Sequence, residues 1–150
     1  MSDGCICEDL RAILALQARF CQLCDLAQWA QLRELFTDDA VLHVFGKDYV
    51  GQDAILRFIE RRHLGKHMLS APNIEIDGDE ARVVVDHTFY RYPDLALFGA
   101  GVYKDILRRT ENGWKFGRRE IEVHGHHVEM TAAAKQNVKP IADTLKGVQN

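Results

Sequence analysis

Two side chains of this chain stand out for the chemistry they could do. Asp25 closes the apolar segment ILALQARFCQLCD, and His67 opens the stretch HMLSAPNIEIDGDEA. An imidazole gives and takes protons near neutral pH. A partly desolvated carboxylate wants a cationic or donor partner. At 100° per residue, Leu10, Ile13, Leu14, Gln17, Phe20, Cys21 and Cys24 fall on one helical face, and Asp25 lies at its border. An acid at the rim of a core-facing stripe is either paired or functional. The plainer alternatives are an exposed carboxylate at a helix end and a strand-start histidine bonded to backbone.

Other reactive residues carry weaker signals. Cys5, Cys7, Cys21 and Cys24 form a C-x-C and a C-x-x-C, but Cys21 and Cys24 sit within the apolar stripe, where small hydrophobes belong. His124, His126 and His127 follow the last expected strand and read as a solvated turn. Neither set closes into a tetrahedral site, so no metal and no cofactor are expected. The net charge of −3 carries no basic footprint for nucleic acid. No apolar run approaches the roughly 20 residues of a membrane span. The start, MSDGCICEDL, lacks the apolar core of a signal peptide, so a cytoplasmic protein with reduced thiols is expected.

The elements that must position Asp25 and His67 follow from periodicity. The 150 residues, 47% hydrophobic, suit one domain with a substantial core. We divide them into a flexible N-terminus (1–8), a domain (9–123) and a partly helical tail (124–150). A helix is expected from about Asp9 to Cys24 or slightly beyond, and a short one over Gln28–Leu35. TDDA reads as a turn, Ala40–Phe45 as a strand, Tyr49-Val50 as its return, and Gly51–Gly65 as a helix stopped by Gly65. His67–Ile76 is the next strand, irregular around Pro72. Asp77-Gly78-Asp79 signals a hairpin into Glu80–Tyr92, whose Val83, Val85, His87 and Phe89 share one face. Leu97–Arg109 and Trp114–Val123 pair last. A three-residue loop ending in Gly113 sets Asp105 opposite Arg119, whereas a two-residue Asn112-Gly113 loop sets it against Glu120, a like charge. Tyr103, Asp105, Arg119 and Ile121 then share a face, with Trp114, Phe116, Val102 and Ile106 on the other. Helices ahead of a strand meander argue for α+β with one curved, mainly antiparallel sheet. Apolar residues on both sheet faces argue for a homodimer through the outer one.

Several stretches together resemble the SnoaL-like branch of the nuclear-transport-factor-2-like superfamily. They are the helix ending in Asp25 with QWAQLRELFTDDAV, then YVGQDAI, and finally HMLSAPNIEIDGDEA with GVYKDILRRTENGWKFGRR. The resemblance covers most of residues 9–123. It implies a cone, in which a curved sheet wraps around helices and encloses an apolar pocket, and often a dimer. Scytalone dehydratases and related eliminating enzymes of the superfamily share an Asp–His dyad. The resemblance sets Asp25 and His67 at those positions, with His67 as base and Asp25 as its orienting partner. A small apolar or aromatic molecule is then the expected partner, undergoing elimination, isomerisation or cyclisation. The expected binding residues are Phe20, Leu42, Val44, Tyr49, His87, Tyr103 and Arg119.

The chain also departs from that pattern. The dehydratases carry pocket tyrosines where this chain has Phe20 or Cys24, and another on the first strand at Val44. Tyr49, His43, His87 and Tyr103 are the possible substitutes. Ketosteroid isomerases of the same fold use a first-strand Asp near Val44, which disfavours that chemistry here. The alternative is a non-catalytic ligand binder, or a small subunit of a larger oxygenase-type assembly.

Overall fold

Helix α1 (Ile6–Asp25) is the element against which the sheet closes. The computed structural model describes residues 5–62 and 64–126. The helix begins earlier than the expected Asp9, and its buried side is rotated from the expected stripe. Ile13, Leu16, Gln17, Phe20, Cys21, Leu23 and Cys24 are buried, while Leu10 is 36% and Leu14 47% exposed. Both faces of the segment are apolar enough to serve, and the sheet selects the one that fits it. Asp9 in the first turn suits the helix dipole and is tied down by Arg109 at 2.6 and 2.8 Å and by the Trp114 indole N–H at 2.9 Å. The helix ends at once after Asp25. Ala27 takes a left-handed conformation (φ 54°), and the Ala27 and Gln28 amides donate to the Cys24 and Leu23 carbonyls.

Helix α2 (Trp29–Arg33) leads into β1 (Phe36–Val44). The TDDA stretch, expected as a turn, therefore lies in a strand. Phe36 is buried and pairs with Phe116, while Asp38 and Asp39 face solvent. Their turn preference is overridden by a pairing with a distant strand. Next come β2 (Lys47–Val50) and α3 (Gln52–Glu60). That helix stops before Gly65, which instead opens β3 (Gly65–Leu69). A Cβ at Gly65 would lie 2.1 Å from the Tyr90 carbonyl oxygen, so glycine is required by close strand contact rather than by a helix end. β3 and β4 (Asn73–Asp77) split the single expected strand at Ser70–Pro72, and both pair with β5 (Glu80–Arg91).

The sheet is completed by β6 (Ala96–Thr110) and β7 (Gly113–His126). Its order is β2-β1-β7-β6-β5-β3, with β4 also on β5. Pairing is antiparallel except between β1 and β7. The architecture is α+β with a curved, open sheet whose concave face packs on α1. Asp105 stands opposite Arg119 and Lys104 opposite Glu120 as charge pairing requires, but the route differs. The β6–β7 turn is Glu111-Asn112, with Thr110 paired to Gly113, and the register slips by one where Gly117 is passed. That bulge reverses the alternation of β7. Trp114 and Phe116 consequently join Tyr103 and Leu107 in the core, not Val102 and Ile106 on the outer face. The outer face is left more polar than expected, crossed by ion pairs of Lys104 with Glu122 and Arg108 with Asp39. The expected tail helices lie outside the described residues, beyond His126.

Candidate active site

Asp25 is the last residue of α1, where the helix dipole is unfavourable to an anion. Three donors from β3 compensate. The His67 ring Nδ1 is 2.7 Å from Oδ1, the His67 backbone N–H donates to the carboxylate at 3.1 and 3.3 Å, and Lys66 Nζ lies 3.1 Å from Oδ2. β3 is a sheet edge, so the outward-facing amide of His67 is free for Asp25 instead of a strand neighbour. The Asp25 side chain is only 4% exposed. Burial alone would raise its pKa, but the hydrogen bonds from His67 and Lys66 outweigh that and hold it below its ordinary value of 3.8. An ionised carboxylate can only accept, so the His67 proton sits on Nδ1 and the neutral ring carries its lone pair on Nε2.

His67 lines an apolar cavity of about 160 Å³. Phe20, Val44, His87 and Tyr103, expected in the pocket, line it too. Leu42, Tyr49 and Arg119 do not. Leu42 is fully buried in the core, since it alternates with the half-buried Val41 and His43 on β1. Tyr49 packs behind the wall on Phe58, with ring centroids 4.4 Å apart. Arg119 is 0% exposed and lies beneath the lining rings of Phe20 and Tyr103. Its guanidinium makes 2.7 Å bonds to both Asp105 oxygens and a 2.6 Å bond to Gln17 Oε1, and Gln17 Nε2 donates to Asp105 at 2.7 Å. The guanidinium carbon is 4.2 Å from the ring centroids of Phe20, Tyr103 and Phe116. Those three ring faces meet a cation whose Nη1 has no hydrogen-bond partner among the described residues.

The polar groups left to the cavity are few. His87 stacks on Tyr103 at 4.0 Å, and its Nδ1 has no partner among the described residues. Burial first, then its neighbours His67 and Arg119, bring its pKa down to about 4, so it is a neutral imidazole at pH 7. His43, by contrast, is engaged by Asp48 at 2.6 Å. Burial lifts the Cys21 thiol to about 12 and Cys24 well above its ordinary value, so neither is a thiolate nucleophile. His124 pairs with Glu122 at 2.9 Å, and among the described residues no three His, Cys, Asp or Glu side chains converge as a metal would need. The sequence reading missed Phe58, Ile59 and Arg62 from α3 and its end, and Phe45 and Phe98 from strand ends. Only the helical spacing of Phe58, Ile59 and Arg62 signalled a shared face. Lys66 was also missed, although it immediately precedes His67.

A family profile described as SnoaL-like domain matches residues 6–120. No curated protein matches the chain in sequence. Among solved structures, an NTF2-like protein with a cystatin-like fold from Novosphingobium aromaticivorans is 24% identical. Its TM-score is 0.73 over 90% of this chain and 92% of that one. A candidate scytalone dehydratase from the same organism is 24% identical, with TM-score 0.68 over 87% and 95% of the two chains. The β subunit of a candidate aromatic-ring-hydroxylating dioxygenase, also from N. aromaticivorans, is 16% identical, with TM-score 0.67 over 83% and 94%. At these identities the likeness is one of fold: the chain has the NTF2-like, cystatin-like architecture.

Proposed function

The chain belongs to the SnoaL-like domain family, and within it we propose an enzyme that takes a proton from carbon in a small, mostly apolar molecule. The observation that carries this reading is the 2.7 Å bond between the nearly buried Asp25 carboxylate and the ring of His67, a ring that also lines the apolar cavity. The carboxylate holds Nδ1–H, which leaves Nε2 as the base. As the proton moves to Nε2, the imidazolium that forms is neutralised by Asp25. Lys66 keeps that carboxylate ionised. The apolar wall excludes water, which strengthens each of these contacts. His87, neutral and lining the same cavity, is the group we assign to hydrogen-bond a carbonyl or leaving hydroxyl of the substrate. The outcome is elimination, isomerisation or cyclisation according to what leaves. The working form is proposed to be a cytoplasmic homodimer, with Val84, Val102 and Ile106 as the apolar residues of the outer sheet face.

The test is deuterium exchange in D₂O against a panel of cyclic ketones, hydroxylated aromatics and hydroxylated polycycles, followed by mass spectrometry. Wild type should exchange or eliminate at a carbon next to an activating group, and His67→Ala should not. Turnover that survives His67→Ala would sink the dyad as the catalytic device. The second reading, a non-catalytic ligand binder or an oxygenase-type small subunit, draws on the absence of tyrosine hydroxyls at Phe20, Cys24 and Val44. Saturable binding of panel members without exchange in the wild type would favour it.

A further inference from the structure

Among the described residues, Arg62 is the one arginine or lysine that lines the cavity, and no aspartate or glutamate does. It ends the face of α3 that begins with Ile55 and continues through Phe58 and Ile59, and its amide donates to the Ile59 carbonyl at 3.0 Å. The guanidinium carbon stands 5.1 Å from the ring centroids of both Phe45 and Phe58. Ring faces hold a guanidinium in place without using its N–H donors, which stay available in the ring-stacked geometry. Several sheet arginines have those donors engaged, as Arg108 does by Asp39, Arg109 by Asp9 and Arg119 by Asp105. Arg62 has no ion-pair partner among the described residues. The Asp25 carboxylate is not available to it, since His67 and Lys66 occupy both oxygens. A second guanidinium, that of Arg91, lies 5.9 Å from the ring of the lining residue Phe98.

We propose that the cavity takes a ligand with an apolar, ring-sized body and a carboxylate at its mouth, where Arg62 binds the carboxylate. This rests on the cavity of the enzymatic reading and specifies its substrate class. A space of about 160 Å³ lined mainly by apolar side chains is comparable to one that holds a single aromatic ring. An exposed guanidinium at its edge, with no acid among the described lining residues, makes the mouth electropositive. The flat fork of Arg62 matches a carboxylate through paired N–H bonds. A neutral ligand of equal shape would fill the same space but leave those donors to water.

The experiment compares trans-cinnamate with cinnamamide, one ring and a short chain that differ at the polar end. Titrations are followed by the NMR signal of the Trp29 indole, which lines the cavity. Wild type should prefer cinnamate by about fivefold, the most that a partly exposed pair supports. That preference should shrink as salt is raised. Arg62→Gln should abolish the preference and leave cinnamamide affinity unchanged, which also reports that the variant is folded. Arg91→Gln should retain most of it. Equal affinities in wild type, or a preference that survives Arg62→Gln, would overturn the carboxylate assignment while the apolar cavity stands. Binding of neither compound would overturn the cavity reading and this assignment with it.

Discussion

Asp25→Asn tests the dyad without knowledge of the substrate. In the native protein Oδ1 receives the His67 ring at 2.7 Å and Oδ2 faces Lys66 at 3.1 Å, while the His67 amide reaches both oxygens, at 3.1 and 3.3 Å. Asparagine keeps the shape but owns one acceptor and one donor. Its oxygen is best placed at the Oδ2 position, where it keeps Lys66, since the His67 amide is within reach of either position. The other orientation turns an NH₂ group toward an ammonium and forfeits a charged hydrogen bond, a difference of roughly 1.5–3 kcal/mol. The NH₂ therefore meets Nδ1, which must become an acceptor, and the ring proton moves to Nε2. A preference of that size leaves about 90% or more of the neutral ring in the new tautomer. Long-range proton–nitrogen NMR of ¹⁵N-histidine protein distinguishes the tautomers directly. We expect Nδ1–H in wild type and Nε2–H in Asp25→Asn. If the enzymatic reading holds, the rate falls by about 10³–10⁴, because the lone pair that faces the cavity is gone. An unchanged His67 tautomer in Asp25→Asn would refute the reasoning, whatever the activity.

The remaining predictions concern the frame around the dyad. Arg119→Met should destabilise the fold by roughly 3–5 kcal/mol in denaturant titration, because Asp105 is left as a buried, uncompensated charge. Asp105→Leu combined with Arg119→Met should cost less than Arg119→Met alone. Asp9 has its pKa lowered to about 2, first by the Arg109 hydrogen bond and then by that of Trp114, against an ordinary 3.8. The unfolded chain therefore binds the proton first, so this contribution is complete above about pH 4 and is lost as pH falls toward 2. Asp9→Asn should flatten that part of the stability profile measured by thermal melts. His87, lowered to about 4 from 6.5, is likewise protonated first in the unfolded chain, so stability falls between those values as acid is added. His87→Phe, which keeps the stack on Tyr103, should remove the loss.

How far the site could be read ahead of the structure differs from residue to residue. Asp25 and His67 were visible as a carboxylate on the edge of an apolar face and a histidine opening a strand, made a pair by family resemblance. Lys66 was not visible, because a lysine before a histidine has no periodicity to betray which way it points. Arg119 was placed correctly on the inner face by the charge pairing with Asp105. Depth along that face is a different matter. It decides between lining a cavity and lying under its wall, and it depends on how far Phe20 and Tyr103 reach over the guanidinium.

The amino-acid sequence by itself determined the long helix, the alternation of β5 and the Asp77–Asp79 hairpin, and its charges favoured Asp105 opposite Arg119. Each of these follows from interactions between near neighbours or from a repeating side-chain direction. Tertiary structure alone decided the rest. It exposed Leu10 and Leu14 while burying Leu16 and Leu23, because a helix with more than one apolar side is oriented by the surface that receives it. It inserted the extra residue at Gly117 that turned Trp114 and Phe116 inward, and it joined β1 to β7 in parallel across most of the chain. It also brought Asp25 to His67 across 42 residues. A helix end and a sheet edge each carry unsatisfied groups, and only the completed fold sets the anion of one against the donors of the other.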